Sequence, residues 1–336
     1  MKVLKISSVW CPSCLIMNNV INKIKDKYNL EITSYDYDMD EDADPIVEVK
    51  IKNRQPKGEI KLNKTVMDLD TDTDLVDRSD LSKVQFVLKA KEGIYSSIDG
   101  SLMFEKDSVI TTENSGAIVN TGSEVGNGIC ALSLDGHLDI SNLPMSTKGA
   151  SYYLQEVKTL DGCVLDTTQY DAVFKQSDFT TKNYIKSFDV ENKTTDFEFN
   201  KTDVTGDKEV EGAQLTITDE DGNVVDQWTS DGKVHSIEGL VVGKTYTLSE
   251  TVTAKGYVKA TDIKFTVKNS SELETVTMKD KQVFVSKTTV GGEEVTGAHM
   301  QIIDEDGNII DEWYSEGKSH IANGLEEGKT YTLHED

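Results

Sequence analysis

The chain has 336 residues, and 60 Asp and Glu against 35 Lys and Arg give it a formal net charge of −25 at pH 7. Such a charge argues against nucleic acid or an anionic membrane as partner, since both call for a basic face; its plain consequence is solubility. The length suits two or three domains, and no apolar run approaches the ~20 residues of a membrane span. The N-terminus lacks the apolar core and small-residue cleavage site of a signal peptide, so by sequence alone the default address is cytoplasmic.

Residues 1–42 read as strand, helix, strand over 3–8, 15–28 and 30–37. Between the first strand and the helix stands Trp10-Cys11-Pro12-Ser13-Cys14. A helix N-terminus lowers the pKa of a thiol beside it, because it favours the thiolate. This stretch resembles the opening β-α-β of thioredoxin-like proteins. The resemblance implies a thiol-disulfide oxidoreductase, with Cys11 as nucleophile and Cys14 as resolving thiol. It covers about half of that fold: Pro45 arrives too early for the cis-proline loop, and two further strands have no counterpart.

After the acidic run 38–44 the character changes. Short stretches rich in Val, Ile, Thr and Tyr alternate with Gly- and Asp-containing turns, as in EIKLNKTV (59–66), YYLQEV (152–157) and AQLTITDEDGN (213–223). Period-two alternation with frequent turns predicts antiparallel β-sandwiches, with Ala213, Leu215 and Ile217 facing inward and Asp221-Gly222 in a hairpin turn. The mainly-β fold is preceded by the short α/β segment.

Internal repetition sets the organisation. Residues 197–250 recur at 283–335 with one turn residue deleted, so that Lys201 and Lys287, Trp228 and Trp313, His235 and His320, and Glu250 and Glu335 superpose. A longer relative runs from GEIKLNK (58–64) through YYLQEVKTLDGCVLD (152–166) to SFDVENKTT (187–195), with its extra length in loops that include DLDTDTD (68–74). The expected domains are 58–195, 196–282 and a truncated 283–336. Residues 43–57 read as the leftover closing strand and linker of a preceding repeat.

Residues 58–336 resemble tandem Cna protein B-type domains, the prealbumin-like units of Gram-positive surface adhesins and pilins. In that family a Lys on the first strand bonds covalently to an Asn or Asp on the last strand, assisted by a Glu in a Y-x-L-x-E context. The resemblance implies Lys64, Glu156 and Asn192 in the first unit, in KLNK, YYLQE and VENK. It implies Lys201, Glu250 and Asp280 in the second, in EFNK, YTLSE and VTMKD. The third has Lys287 in FVSK and Glu335 in YTLHE, and the chain ends at Asp336 before an acceptor strand. Asn53 stands where Asn192 sits in the next unit, so Asn53 and the Lys287–Glu335 pair are unpartnered ends.

Such chemistry suits these residue types. An amine attacks only when neutral, and burial between two sheets disfavours an ammonium. A buried carboxylic acid stays protonated more readily, so it can polarise the acceptor carbonyl and shuttle protons. Loss of ammonia from Asn192, or of water from Asp280, leaves an isopeptide bond. Each domain reacts once with itself, so no enzymatic turnover is expected. The resemblance also implies a stalk at the cell surface or wall, whose host or matrix ligand binds a part of the parent protein outside this chain. No sorting motif or anchor is visible.

Other candidates are weaker. DLDTDTD resembles a calcium loop, but Thr73 stands where its Gly belongs and Ser79 where its bidentate Glu belongs, so no metal is expected. No cofactor is expected either. Cys130 and Cys163 either pair or stand as two buried thiols, and the sequence leaves both open. Tyr246 and Tyr331 read as core or strand-pair residues.

Overall fold

A computed structural model describes residues 2–7, 31–36, 55–178 and 181–336. The strands Lys2–Ser7 and Glu31–Asp36 pair in parallel, from Lys2 opposite Glu31 to Ser7 opposite Asp36. The rest of the expected β-α-β segment, with Cys11 and Cys14, lies outside the described residues, and so does Asn53. The chain divides into two compact units. The second consists of Val66–Arg78, Thr159–Leu165 and Glu191–Asp336, and the first holds the remainder.

In the first repeat, one sheet has the strand order Gln169–Phe174, Ala150–Lys158, Gln85–Ala90, Ile129–Ala131 and Ser123–Gly126. The other runs Asn183–Asn192, Lys57–Val66, His137–Pro144 and Ile118–Thr121. Alternation decides which side chains enter the core. Along Lys57–Val66 the inward row is Gly58, Ile60, Leu62 and Lys64; along Ala150–Lys158 it includes Tyr152, Leu154 and Glu156. Gly58 has to be glycine, because a Cβ there would lie 2.7 Å from the Phe174 ring. The added length of this repeat forms local structure: a hairpin of Ile94–Tyr95 with Leu102–Phe104, and a one-turn helix Thr112–Ser115 closed by a Thr111–Asn114 capping box.

In the second unit, residues 196–280 together with Thr73–Asp74 form two four-stranded sheets. One has the order Glu274–Asp280, Asp196–Asp203, His235–Glu238 and Thr73–Asp74, and the other Val224–Asp231, Glu211–Thr218, Thr245–Val252 and Ile263–Thr266. Between them lies a core of Phe197, Phe199, Leu215, Ile217, Ile237, Leu240, Tyr246, Leu248, Val267 and Met278. Ala213, Leu215 and Ile217 face inward as the alternation predicts. The Asp221-Gly222 turn forms with Gly222 at φ +82°, a left-handed conformation that glycine adopts without steric cost.

DLDTDTD departs from its expectation as a loop. Thr73 and Asp74 pair in parallel with Ile237 and Glu238, so the segment covers the edge of the second repeat's sheet. An open edge leaves unpaired backbone groups, and a two-residue strand satisfies some of them without any apolar pattern of its own. The third repeat pairs Phe284–Val285 with His320–Ile321, and places Thr296–Ile303 between Ile309–Glu316 and Thr332–Glu335. Its core is smaller: Val258, Ile302, Ala322 and Leu325, with Val285, Trp313 and Tyr331 packed against it.

Candidate functional site

Three inward rows in the second repeat end in a charged residue. Phe197 and Phe199 lead to Lys201, Tyr246 and Leu248 lead to Glu250, and Met278 leads to Asp280. Because each row keeps period two, the fold that buries the aromatic and aliphatic members also buries the charged ones. Lys201 is 2% exposed, and Glu250 and Asp280 are 1%. The opening and closing strands are parallel neighbours with Lys201 opposite Met278, which sets Asp280 two residues along from the lysine. Glu250 arrives from the other sheet.

Lys201 Nζ hydrogen-bonds Asp280 Oδ1 and lies 3.2 Å from Glu250 Oε1. Glu250 Oε2 is fixed separately, accepting from the backbone N–H of Ala260 over 2.9 Å. Asp280 Oδ2 is buried without a hydrogen-bond partner. Burial lifts the Asp280 carboxyl to about 6 against the pull of Lys201, and the neighbouring Glu250 carboxyl adds to the rise. One amine and two carboxyls therefore share a buried pocket, the groups that joining an amine to a carboxyl with loss of water would require.

The first repeat, 58–195, shows half of this geometry. Lys64 Nζ is 3.4 Å from Glu156 Oε1, both side chains fully buried. Glu156 Oε2 accepts from the Asp166 N–H over 2.9 Å, the same ten-residue spacing as Glu250 to Ala260. Asn192 ends the strand next to Lys57–Val66 in its sheet and is 1% exposed. Its Nδ2 donates to Thr159 Oγ1, and its backbone carbonyl accepts from the Met67 N–H over 2.8 Å. In the third repeat Lys287 pairs with Glu335, but the side chains are 32% and 46% exposed. Residue types and register agree with the second repeat; burial does not.

A second polar cluster escaped the sequence reading. Glu238 is fully buried, directly after the equally buried Ile237, which breaks the alternation. It accepts from the Leu69 N–H at 3.3 Å and from Thr194 Oγ1 at 3.0 Å, and it lies 3.2 Å from Arg78 Nη2. Asp68, Asp74 and Glu238 stand close enough to hold a cation together. A guanidinium already lies among them: Arg78 Nη1 is 2.5 Å from Asp74 and Nη2 is 3.9 Å from Asp68. The signal available in the sequence was scarcity, since Arg78 is one of only two arginines in the chain.

Cys130 and Cys163 are buried thiols rather than a disulfide, and burial pushes Cys130 up to about 12. Tyr246 is a core residue, and its hydroxyl accepts from the Val241 N–H at 3.1 Å. Tyr331 accepts from the Glu326 N–H at 2.9 Å, the same contact one repeat later.

The model of the SpaA prealbumin-like fold domain matches residues 195–282. The match agrees with a prealbumin-like fold for this stretch. Among solved structures, the chain is similar to the Bacillus anthracis TIE protein at 18% identity, covering 84% of this chain and 48% of that one, with a TM-score of 0.34. The chain thus spans about half the length of that protein. A streptococcal ancillary pilin is similar at 20% identity, covering 75% and 68% with a TM-score of 0.26. The shaft pilin SpaA of Lactobacillus rhamnosus GG is similar at 16% identity, covering 69% and 100% with a TM-score of 0.28. A search of curated proteins gives no significant match. No helix among the described residues is long and apolar enough to cross a membrane.

Proposed function

We propose that residues 58–336 are a structural stalk segment of a Gram-positive surface pilin or adhesin, built from domains 58–195, 196–282 and 283–336. Autocatalytic isopeptide bonds stiffen the two complete domains, Lys64 to Asn192 and Lys201 to Asp280. The observation that carries this reading is Lys201, buried with its Nζ on Asp280 and 3.2 Å from Glu250. In the second domain Lys201 Nζ attacks Asp280 Cγ and the new C–N bond replaces a C–O bond. Glu250 carries protons from the amine to the departing oxygen, and one water leaves. In the first domain Glu156 serves the same role, and ammonia leaves from Asn192.

The role of such a bond is mechanical. It closes a chain segment whose ends are 79 residues apart, so a force on the domain cannot draw that segment out. Each domain reacts once, so the chain modifies itself and turns nothing over. Adhesion to a host or matrix ligand belongs to another part of the parent protein.

Intact-mass spectrometry of the purified chain tests the reading. The expected protein is lighter than its sequence by one water and one ammonia, with peptides joined at Lys201–Asp280 and Lys64–Asn192. A mass equal to the sequence sum ends it.

A further inference from the structure

An Asn acceptor poses a problem that an Asp acceptor does not. The two oxygens of a protonated carboxyl can exchange roles, so either can leave as water. A carboxamide has only one leaving atom, its nitrogen, and a half-turn about the last side-chain bond exchanges that nitrogen with the carbonyl oxygen. Asn192 is 1% exposed, so no bulk water is available to set its orientation. Its Nδ2 donates to Thr159 Oγ1, on the segment that follows the strand carrying Glu156.

We propose that Thr159 is a positioning residue for the first domain's bond, holding the Asn192 carboxamide by its nitrogen so that ammonia departs from a fixed place. The inference rests on the covalent reading above. With Nδ2 held, the carbonyl oxygen takes the other position, and Cγ keeps one orientation toward attack. When Lys64 Nζ adds to Cγ, Nδ2 changes from planar to pyramidal and gains a lone pair. A hydroxyl is both donor and acceptor and rotates freely, so Thr159 can reverse its hydrogen bond and donate to that lone pair. The Nζ–Cγ bond forms, the Cγ–Nδ2 bond breaks, and one proton passes from the amine through Glu156 to the leaving nitrogen. Thr159 gains and loses no proton overall.

The full-length chain contains its own control, because the second domain loses water rather than ammonia. Wild type, Thr159→Val and Thr159→Ser are synthesised in a cell-free pulse, quenched in denaturant at successive times, and read by intact mass and peptide mapping. Valine keeps the shape and removes the hydroxyl; serine keeps the hydroxyl. Losing a hydrogen bond at the reacting group predicts about tenfold slower ammonia loss in Thr159→Val. Water loss in the same molecules keeps its wild-type rate, and Thr159→Ser restores ammonia loss. Thr159→Ala is the second arm should valine disturb the fold, which a lowered melting transition of the first domain would reveal. Wild-type ammonia loss in the hydroxyl-free variants overturns the role of Thr159 and leaves the covalent reading intact. A wild-type chain that loses water but never ammonia overturns the first-domain bond, and Thr159's role with it.

Discussion

The backbone N–H of Ala260 donates to Glu250 Oε2 over 2.9 Å, and this contact determines how the second carboxyl faces the lysine. One oxygen is pinned by the backbone, which leaves Oε1 directed at Lys201 Nζ, 3.2 Å away. Glutamine preserves this arrangement, because its carbonyl can accept the same N–H, but it cannot act as an acid. Glu250→Gln should therefore fold with the pocket intact and slow bond formation by at least ~100-fold, the usual contribution of a general acid-base group. Mass spectrometry should find the water of the second domain retained and the ammonia of the first still lost. Normal water loss in this variant would remove Glu250 from the reaction.

Lys201→Met separates the bond from the fold. Methionine fills much of the lysine's volume with apolar atoms, and the core it joins already contains Phe197, Phe199 and Met278. What disappears is the proposed covalent closure between residues 79 apart in sequence. The chain-entropy relation used for disulfides puts that closure at roughly 4–5 kcal/mol, and the buried Glu250 and Asp280 carboxyls, left without the lysine, add to the loss. For a domain of this size such a loss is on the order of 20 °C in Tm. Calorimetry should show a separate, lower transition for the second domain. An unchanged melting profile would mean that no bond was present to lose.

The candidate site residues came from the family resemblance, and repetition set Lys201 and Glu250 in register with Lys287 and Glu335. The fold explains why they are buried: in F-x-F-x-K, Y-x-L-x-E and M-x-D the charged residue ends an inward row. Glu238 was not legible, because its cation lies 160 residues away and no local period connects them. Thr159 and Thr73 were hidden for a related reason. Their contacts are made by a loop hydroxyl and by a sheet edge, neither of which leaves a pattern of apolar residues. The exposure of Lys287 and Glu335 also lay beyond the sequence, since type and register alone cannot report depth.

The raised Asp280 carboxyl gives bond formation a pH dependence of definite sign. Its value in the unreacted fold is about 6 against an ordinary 3.8, with burial as the largest cause. A raised acid is protonated in the folded state and ionised in the unfolded state between these values, so stability of the unreacted fold falls as pH rises across that window and levels off above it. The acceptor must be protonated for its hydroxyl to leave as water, so the rate of water loss should fall as pH rises through about 6. Asp280→Asn has no acceptor carboxyl to titrate, and its ammonia loss should lack this limb. Rates of mass loss across pH 4.5–8 (roughly the span on either side of an ordinary and a raised carboxyl) provide the comparison. Identical profiles for the two acceptors would refute the assignment.

Arg78 and Glu238 supply the last prediction, one that is independent of the covalent chemistry. Glu238 is fully buried, and Arg78 is the cation that meets it, at 3.2 Å. Arg78→Met removes the cation and leaves a carboxylate in a low-dielectric site, a change that typically costs about 3–5 kcal/mol. Glu238→Gln should cost less, because the amide can still accept from Thr194 Oγ1 and the Leu69 N–H. The double variant should be more stable than Arg78→Met alone, since it leaves no buried charge to compensate. Denaturant unfolding of the four proteins reads this order directly. A double variant less stable than Arg78→Met would show that Arg78 acts through its contacts with Met67 and Asp74 rather than by neutralising Glu238.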